Sequence, residues 1–332
     1  MKAIVLLSGG LDSILAARLI KGQGIEIEAV NFLTVFCNCT SRGKTCLAST
    51  AAAASLGISL KVFEVTEEYI SIVKAPKHGY GRGLNPCLDC RIFIFKKAGE
   101  YMRQSGASFI VTGEVLGERP MSQRRDAMRI IEEESGLKGF IVRPLCAKLM
   151  EPSIPEKDGL VDREKLLNIQ GRCRKPQIQL AREFDIHNYP CPAGGCLLTD
   201  KGFAARMRDL MKHSPDFSVR DVKFLKIGRH FRLGSGAKLI VGRDEGENAK
   251  LSALAEEEDF CIRPVGIPGS TGIGRGFFND DQLNLAARIL ARYSDIPSGR
   301  YLEVEYRKMT EENESRIMAM AVKEEDLAAL RI

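Results

Sequence analysis

A short apolar run, a glycine-rich polar turn and a helix-forming stretch follow one another at the very start of the chain. Val5-Leu6-Leu7-Ser8-Gly9-Gly10-Leu11-Asp12-Ser13 constrains everything after it. Ala3 to Leu7 reads as a buried parallel strand and Ile14 to Lys21 as the helix that follows. Between them Gly9 and Gly10 allow positive φ and close backbone approach. The start of the helix then offers unpaired N–H groups and a positive dipole end to an anion. Ser8 and Ser13 add hydroxyls, and the Asp12 carboxylate is suited to Mg²⁺.

The hexapeptide S-G-G-x-D-S resembles the PP-loop of the ATP-pyrophosphatases. No Lys follows the glycines, so it is not a Walker A loop. The resemblance implies that Ser8, Gly9, Gly10, Leu11, Asp12 and Ser13 grip the phosphates of ATP, with adenine near Phe32 and Gly113.

The rest of the first half repeats strand and helix. Ile25 to Leu33, Ser59 to Val65 and Phe109 to Thr112 read as strands. Thr50 to Leu56, Tyr69 to Val73 and Arg91 to Gln104 read as helices. That rhythm predicts an α/β domain with a parallel sheet, whose ligands bind beyond the carboxyl ends of the strands. From Met150 the composition shifts, and five prolines punctuate the chain up to Pro192. Only Arg163 to Leu167 and Pro176 to Phe184 look helical there. Ser214-Pro215-Asp216 reads as a linker. Beyond it, expected strands at Phe224 to Ile227, Lys238 to Val241, Phe260 to Val265, Tyr301 to Tyr306 and Arg316 to Val322 form an α+β domain. Helices are expected near Glu247 to Glu256 and Asp281 to Tyr293. The expected division is a PP-loop domain at 1–149, a small adaptor region at 150–213 and a C-terminal domain at 216–332.

At 44% hydrophobic and 28% charged the chain has an ordinary globular composition. Residues 1 to 7 read as a strand rather than a signal peptide, and no apolar run reaches a membrane span. A cytoplasmic location and no membrane partner are expected. The net charge is +6. Residues 215–332 hold about 18 basic and 20 acidic side chains, so the excess of roughly eight sits in 1–214, a pattern that suits a polyanionic partner.

Ten cysteines are many for a chain in a reducing compartment, where clustering points to metal or catalysis before disulfides. Cys87 and Cys90 form a C-x-x-C at a helix start, a position that favours thiolate. Cys191 and Cys196 bracket a Pro/Gly-rich loop. These four fit a closed zinc site, an iron–sulfur cluster held by three cysteines, or a nucleophile with a resolving thiol carrying persulfide. Cys37, Cys39 and Cys46 follow the second strand with Arg42 and Lys44 among them, and no fourth ligand is evident. Cys146, Cys173 and Cys261 read as small buried hydrophobes.

Asn85 to Lys96, Gly106 to Glu114, Lys175-Pro176 and Ala193-Gly-Gly-Cys196 resemble, in order, the tRNA 2-thiouridylases. The run Thr112-Gly113-Glu114 with Gly117-Glu118-Arg119-Pro120-Met121-Ser122-Gln123 is more similar to the 4-thiouridine synthetases. The resemblance covers roughly residues 1–212. It implies a tRNA sulfurtransferase that adenylates a uridine carbonyl and replaces its oxygen by sulfur. It assigns catalysis to Cys90, Cys196 and Asp12, with ATP and Mg²⁺ as cofactors, and with tRNA and a sulfide or persulfide donor as partners. Cys87 is an addition to the 2-thiouridylase pattern. It resembles the subset of tRNA thiolases that bind a 4Fe–4S cluster through three cysteines, which implies Cys87, Cys90 and Cys196 as ligands, Cys191 as an uncertain fourth, and zinc as the alternative.

The 4-thiouridine synthetases carry a THUMP domain before the loop, and none is expected before Ser8. RNA is therefore expected elsewhere. Residues 236–276 resemble the NFACT-type RNA-binding domain, with Gly242, Arg243 and Asn248 at the matching positions and Pro268-Gly269-Ser270 as the following turn. Arg119, Arg124, Arg125, Arg172 and Arg174 are further candidates for RNA backbone contacts. Two other readings compete: a PP-loop enzyme for a small molecule, and an RNA- or ribosome-binding protein with a regulatory nucleotide site.

Overall fold

The computed structural model describes residues 1–37, 47–187, 189, 196–297 and 299–332. The chain forms two compact units, Met1–Thr199 and Asp200–Ile332. Cys39, Cys46 and Cys191 lie outside the described residues.

The first unit is built on a five-stranded parallel sheet of β1 (Lys2–Leu6), β2 (Glu26–Leu33), β3 (Leu60–Glu64), β4 (Phe109–Thr112) and β5 (Ile141–Val142). Their order is β3-β2-β1-β4-β5. β1 is central, with Leu6 opposite Val30 on one side and Thr112 on the other. Its side chains alternate between two cores, as the pleat demands. Ala3, Val5 and Leu7 pack with Ile14 and Ala17 of the helix Leu11–Lys21. Ile4 packs with Phe95, Ala98 and Met102 of the helix Cys87–Gln104 on the opposite face. Each such side chain removed from water contributes about 1.5–3 kcal/mol. β1, β2 and β3 progress in one direction and β4 returns to the other side of β1. The crevice between the carboxyl ends of β1 and β4 is therefore a topological switch point, the preferred ligand position in open parallel sheets.

The second unit is a six-stranded antiparallel sheet of β6 (Arg229–Arg232), β7 (Ala237–Val241), β8 (Phe260–Pro264), β9 (Gly272–Gly276), β10 (Tyr301–Lys308) and β11 (Ser315–Met320), in the order β11-β10-β8-β9-β7-β6. The helix Asp280–Arg292, opened by an Asn279–Gln282 capping box, covers one face through Leu283, Ala286, Ala287 and Leu290. Phe224, Ile240, Leu251, Cys261 and Ile273 form the core on the other. Arg232 and Lys238 both reach Asp209, which ties the helix Lys201–His213 to the sheet.

Most expected elements appear, with shifted ends. The first helix begins at Leu11 rather than Ile14, and that around Arg91 begins at Cys87. The expected strand Phe224 to Ile227 is instead the last residue of a helix, Val219–Phe224, opened by Ser218 and Asp221 in a capping box, and the turn that follows it. The apolar run is buried by a helix, and a short apolar run does not distinguish the two. β6, β9 and the helix Lys201–His213 were not expected. Among the three isolated cysteines, Cys146 and Cys261 are buried as expected, whereas Cys173 is exposed in the turn before the helix Lys175–Glu183.

Candidate active site

The turn after β1 fits its surroundings on both sides. Gly9 has φ +79°, and a Cβ there would lie 2.5 Å from the carbonyl carbon of Ala48. Gly113, after β4, would place a Cβ 2.4 Å from the carbonyl carbon of Asp12. The two loops at the switch point thus touch through backbone, leaving space beyond them. Gly10 precedes the helix with extended backbone and no side-chain cap, so the first N–H groups of the helix have no side-chain acceptor at that position. Ser13 Oγ donates to the Gly10 carbonyl at 2.8 Å, and the Ser8 and Ser13 hydroxyls lie 3.2 Å apart. Leu11 is buried in the core, so it offers only its backbone.

A cavity of about 540 Å³ opens over this turn. Ser8, Gly10, Asp12 and Ser13 line one part, Phe32, Thr112 and Gly113 another, and Cys37, Cys90 and Cys196 a third. Phe32 stacks on Phe63 at 5.2 Å, which fixes its ring at the sheet edge. Phe32 and Gly113 thus share the cavity expected to hold adenine.

Asp12 lies at the phosphate end of the cavity. Its Oδ2 is 3.6 Å from Arg174, and its Oδ1 is buried with no hydrogen bond of ordinary geometry among the described residues, the Gln177 side chain being the polar neighbour of the carboxylate. Burial pushes its carboxyl above the ordinary range, against the opposing pull of Arg174 and Arg119. Glu118 is pushed up too, by burial first and by the neighbouring Asp12 second. An orphaned carboxylate oxygen in a phosphate-binding cavity fits a hard divalent cation, and Mg²⁺ is compatible with this donor.

The turn Thr112-Gly113-Glu114 is held by a buried ion network. Glu114 accepts from Arg143 Nε at 3.0 Å and lies 3.6 Å from Arg91, and Arg143 also pairs with Glu132. Glu114 and Arg143 are both almost wholly buried.

The thiols gather from three parts of the chain. Cys87 and Cys90 come from the first turn of the helix Cys87–Gln104, and Cys37 from the turn after β2. Cys90, Cys37 and Cys87 lie near enough to Cys196 to oppose its ionisation. The expected thiolate character at the helix start is not found. Desolvation raises Cys87 and Cys90, and Cys196 is pushed up to about 12. Burial outweighs the helix N–H groups and the partial help of Arg91. Three thiols suit soft iron or zinc in kind. Among the described residues, however, no group of three His, Cys, Asp or Glu side chains closes on a metal ion. Tyr69 completes this wall. It is 2% exposed, its hydroxyl lies beside Cys90 and senses Cys196 and Cys87, yet it makes no hydrogen bond of ordinary geometry.

The arginines expected on RNA occupy different places. Arg119 and Arg174 line the nucleotide cavity. Arg125 donates to the Leu149 carbonyl at 2.8 Å, Arg124 pairs with Asp126 at 3.4 Å, and Arg172 is exposed. In the second unit Arg243 is paired with Glu247. Asn248 donates to the Gly269 carbonyl at 3.2 Å and accepts from Thr271 N–H at 3.0 Å, locking the turn after β7 to that before β9. Sequence reasoning missed Tyr69, the Glu114–Arg143 pair and the position of Cys37 beside Cys196. The C-x-C spacing alone carried no hint of which thiol faces the cavity.

Residues 1–151 match the family described as thiamine biosynthesis protein (ThiI), and residues 228–331 match the NFACT protein RNA binding domain. A tRNA-specific 2-thiouridylase MnmA of Pelobacter propionicus is 30% identical over 117 residues, 34% of this chain and 33% of that protein. A probable tRNA sulfurtransferase of Methanosarcina mazei is 30% identical over 130 residues, covering 35% and 29%. The chain thus spans about a third of the length of these two curated relatives. Among solved structures, the U34-tRNA thiolase NcsA of Methanococcus maripaludis with its 4Fe–4S cluster aligns at 17% identity and TM-score 0.34, covering 68% of this chain and 70% of that one. No helix among the described residues is long and apolar enough to cross a membrane. The chain thus carries a ThiI-type PP-loop domain at its N-terminus and an NFACT-type RNA-binding domain toward its C-terminus.

Proposed function

We propose that this protein is an ATP-dependent tRNA sulfurtransferase, which adenylates a uridine carbonyl oxygen and replaces it by sulfur. The observation that carries the reading is a single cavity lined by both the Ser8–Ser13 turn and the thiols Cys90 and Cys196. Nucleotide activation and sulfur delivery need to meet at one carbon, and an isolated nucleotide-binding module has no need of thiols there. The 2-thiouridylase and sulfurtransferase relatives support the same class.

In this reading the Gly9–Gly10 turn and the helix N–H groups hold the phosphates of ATP. Phe32 and Gly113 flank adenine. Asp12 Oδ1 would hold Mg²⁺, which supplies charge neutralisation on the phosphates. Arg174 and Arg119 stabilise negative charge on the departing pyrophosphate. The uridine oxygen attacks the α-phosphate, and the carbon so activated receives sulfur from Cys196. The uridine must leave any base stack to enter the cavity, at a cost of a few kcal/mol. Arg124, Arg125 and Arg172, with Arg243 in the second unit, are proposed as RNA contacts. The residues named for a 4Fe–4S cluster, or for zinc, are Cys87, Cys90 and Cys196, with Cys191 the uncertain fourth. No step here depends on either metal.

The test is incubation of the full chain with ATP, Mg²⁺, unmodified tRNA and a persulfide donor, followed by nucleoside analysis of the digested tRNA by mass spectrometry. A thiouridine that requires ATP and disappears in Cys196→Ser is the expected result. Pyrophosphate release driven by a small molecule and indifferent to tRNA would contradict it. Iron, sulfide and zinc analysis of anaerobic wild type and Cys87→Ala tests the metal assignment: about four irons and four sulfides lost in the variant would support the cluster.

A further inference from the structure

Gln177 takes no part in the chemistry proposed above, yet its side chain is wholly buried. Neither end of its amide makes a hydrogen bond of ordinary geometry among the described residues. It lies in the first turn of the helix Lys175–Glu183, which packs on the helix Leu11–Lys21 that follows the phosphate turn. Arg174, Gln177, Ala181 and Phe184 recur every three or four residues, so they share one face. Further along that face the contact is ordinary. Ala181 is buried in one cluster with Leu11 and Leu15, and the Arg18 guanidinium lies over the Phe184 ring at 5.8 Å. At its start the face is polar: Gln177 lies beside the Asp12 carboxylate, and Arg174 is 3.6 Å from Asp12 Oδ2.

A buried amide left unpaired costs about 1–3 kcal/mol, and an apolar residue in that stripe would leave nothing unpaired. The neighbours supply what the amide lacks. Arg174 Nε and Asp12 Oδ1 are also buried without a hydrogen bond of ordinary geometry. Together with the two ends of the Gln177 amide they make two donors and two acceptors. The three side chains can therefore satisfy one another by side-chain rotation, Gln177 Nε2–H to Asp12 Oδ1 and Arg174 Nε–H to Gln177 Oε1. A carboxylate oxygen has two lone pairs, so Oδ1 keeps one for a cation.

We propose that Gln177 is a positioning residue of the nucleotide site: by holding Asp12 at Oδ1 and Arg174 at Nε, it fixes the orientation in which the carboxylate meets the metal of a metal–nucleotide complex. The inference rests on the reading of Ser8 to Ser13 as the ATP site and of Asp12 as the residue that holds Mg²⁺. A neutral amide suits this task, because it orients the carboxylate without cancelling the charge that attracts the cation. Carboxylates that hold metals are in turn held by such hydrogen bonds, and removing the partner costs about 10–100-fold in metal affinity.

The full chain is titrated calorimetrically with α,β-methylene-ATP, which cannot release pyrophosphate, once in Mg²⁺ and once in EDTA. The ratio of the two dissociation constants is the gain in affinity that the metal brings. Damage to the fold weakens both titrations alike and leaves the ratio, whereas a misoriented Asp12 lowers it. In Gln177→Met, which keeps the length and removes the amide, the ratio is expected to fall about tenfold. In Asp12→Asn it is expected to fall at least as far. Adding Gln177→Met to Asp12→Asn is expected to lower it no further, because the amide acts through that carboxylate. Gln177→Asn, one methylene short, serves if the methionine variant does not fold. A ratio in the Gln177 variant equal to that of wild type, or one that falls as far again in the Asp12→Asn background, overturns the inference and leaves the nucleotide reading standing. If wild type binds the analogue with no gain from Mg²⁺, or Asp12→Asn keeps the gain, the metal assignment has failed and the positioning role fails with it. If wild type does not bind the analogue at all, the nucleotide reading itself has failed.

Discussion

Gly113 lies against the backbone of Asp12 so closely that a Cβ on Gly113 would come within 2.4 Å of the Asp12 carbonyl carbon. The loops after β1 and β4 therefore set each other's position, and the aspartate proposed for Mg²⁺ is placed by a residue with no side chain. Because the obstacle is backbone, Gly113→Ala must move one loop. ATP affinity is expected to fall at least about tenfold, or roughly 1.4 kcal/mol. Calorimetric titration of ATP into wild type and Gly113→Ala checks this, and unchanged affinity would contradict it.

Glu114 and Arg143 form the buried support beneath the same turn. Removing one partner of a buried ion pair leaves the other charge uncompensated, at about 3–5 kcal/mol. Arg143 also pairs with Glu132, so Glu114→Gln is expected near the lower end of that range. Urea unfolding followed on the Met1–Thr199 unit measures it. A change under about 1 kcal/mol would mean that Arg143 is already satisfied without Glu114.

Tyr69 gives a prediction of opposite sign for stability and function. The Tyr69 hydroxyl is buried with no hydrogen bond of ordinary geometry and only the Cys90 sulfur beside it, so Tyr69→Phe should leave the melting temperature unchanged or higher. If the hydroxyl serves the sulfur beside it, thiolation in the same variant falls about tenfold while ATP binding holds. A loss of both stability and ATP binding would make Tyr69 structural.

His230 makes the second unit sensitive to acid. It is buried, its Nε2–H donates to the Ile227 carbonyl at 2.8 Å, and Nδ1 has no partner among the described residues. Desolvation first, then the charges of Lys238, Arg206 and Arg243, hold its pKa well below the ordinary value. An unfolded His takes a proton near pH 6.5. Below that pH and above the folded pKa, the unfolded state binds a proton that the folded state refuses. Stability of the second unit is therefore expected to fall as pH drops below about 6.5 and to be flat above it. Urea midpoints for that unit at pH 7.5 and 5 check this. A midpoint that loses as much in His230→Phe as in wild type would assign the loss elsewhere.

The strand–turn–helix frame that carries Ser8 to Ser13 was legible in the sequence. A strand, a Gly-Gly turn and a helix leave few alternatives, and Ser8 to Ser13 lie where a switch-point loop belongs. The parallel sheet was equally legible, because buried parallel strands are continuous apolar runs separated by helices. Helix starts were less so: Leu11 and Cys87 are helical although glycine and proline precede them. Phe224 to Ile227 is nearly as apolar as a strand, and only the Ser218–Asp221 capping box betrays the helix Val219–Phe224 that ends there. The thiols failed for a different reason. Their ionisation depends on burial, which Cys87-x-x-Cys90 does not encode, and the opposition of Cys37 to Cys196 joins segments some 160 residues apart.

The central claim is that one cavity first activates a tRNA uridine with ATP and then delivers sulfur from Cys196. Pyrophosphate release from ATP, measured with and without tRNA in wild type, Asp12→Asn and Cys196→Ser, tests it most directly. The account predicts release that requires tRNA, disappears in Asp12→Asn and survives in Cys196→Ser, where activation continues without sulfur. Release that is unaffected by tRNA, or that is lost equally in both variants, would contradict it.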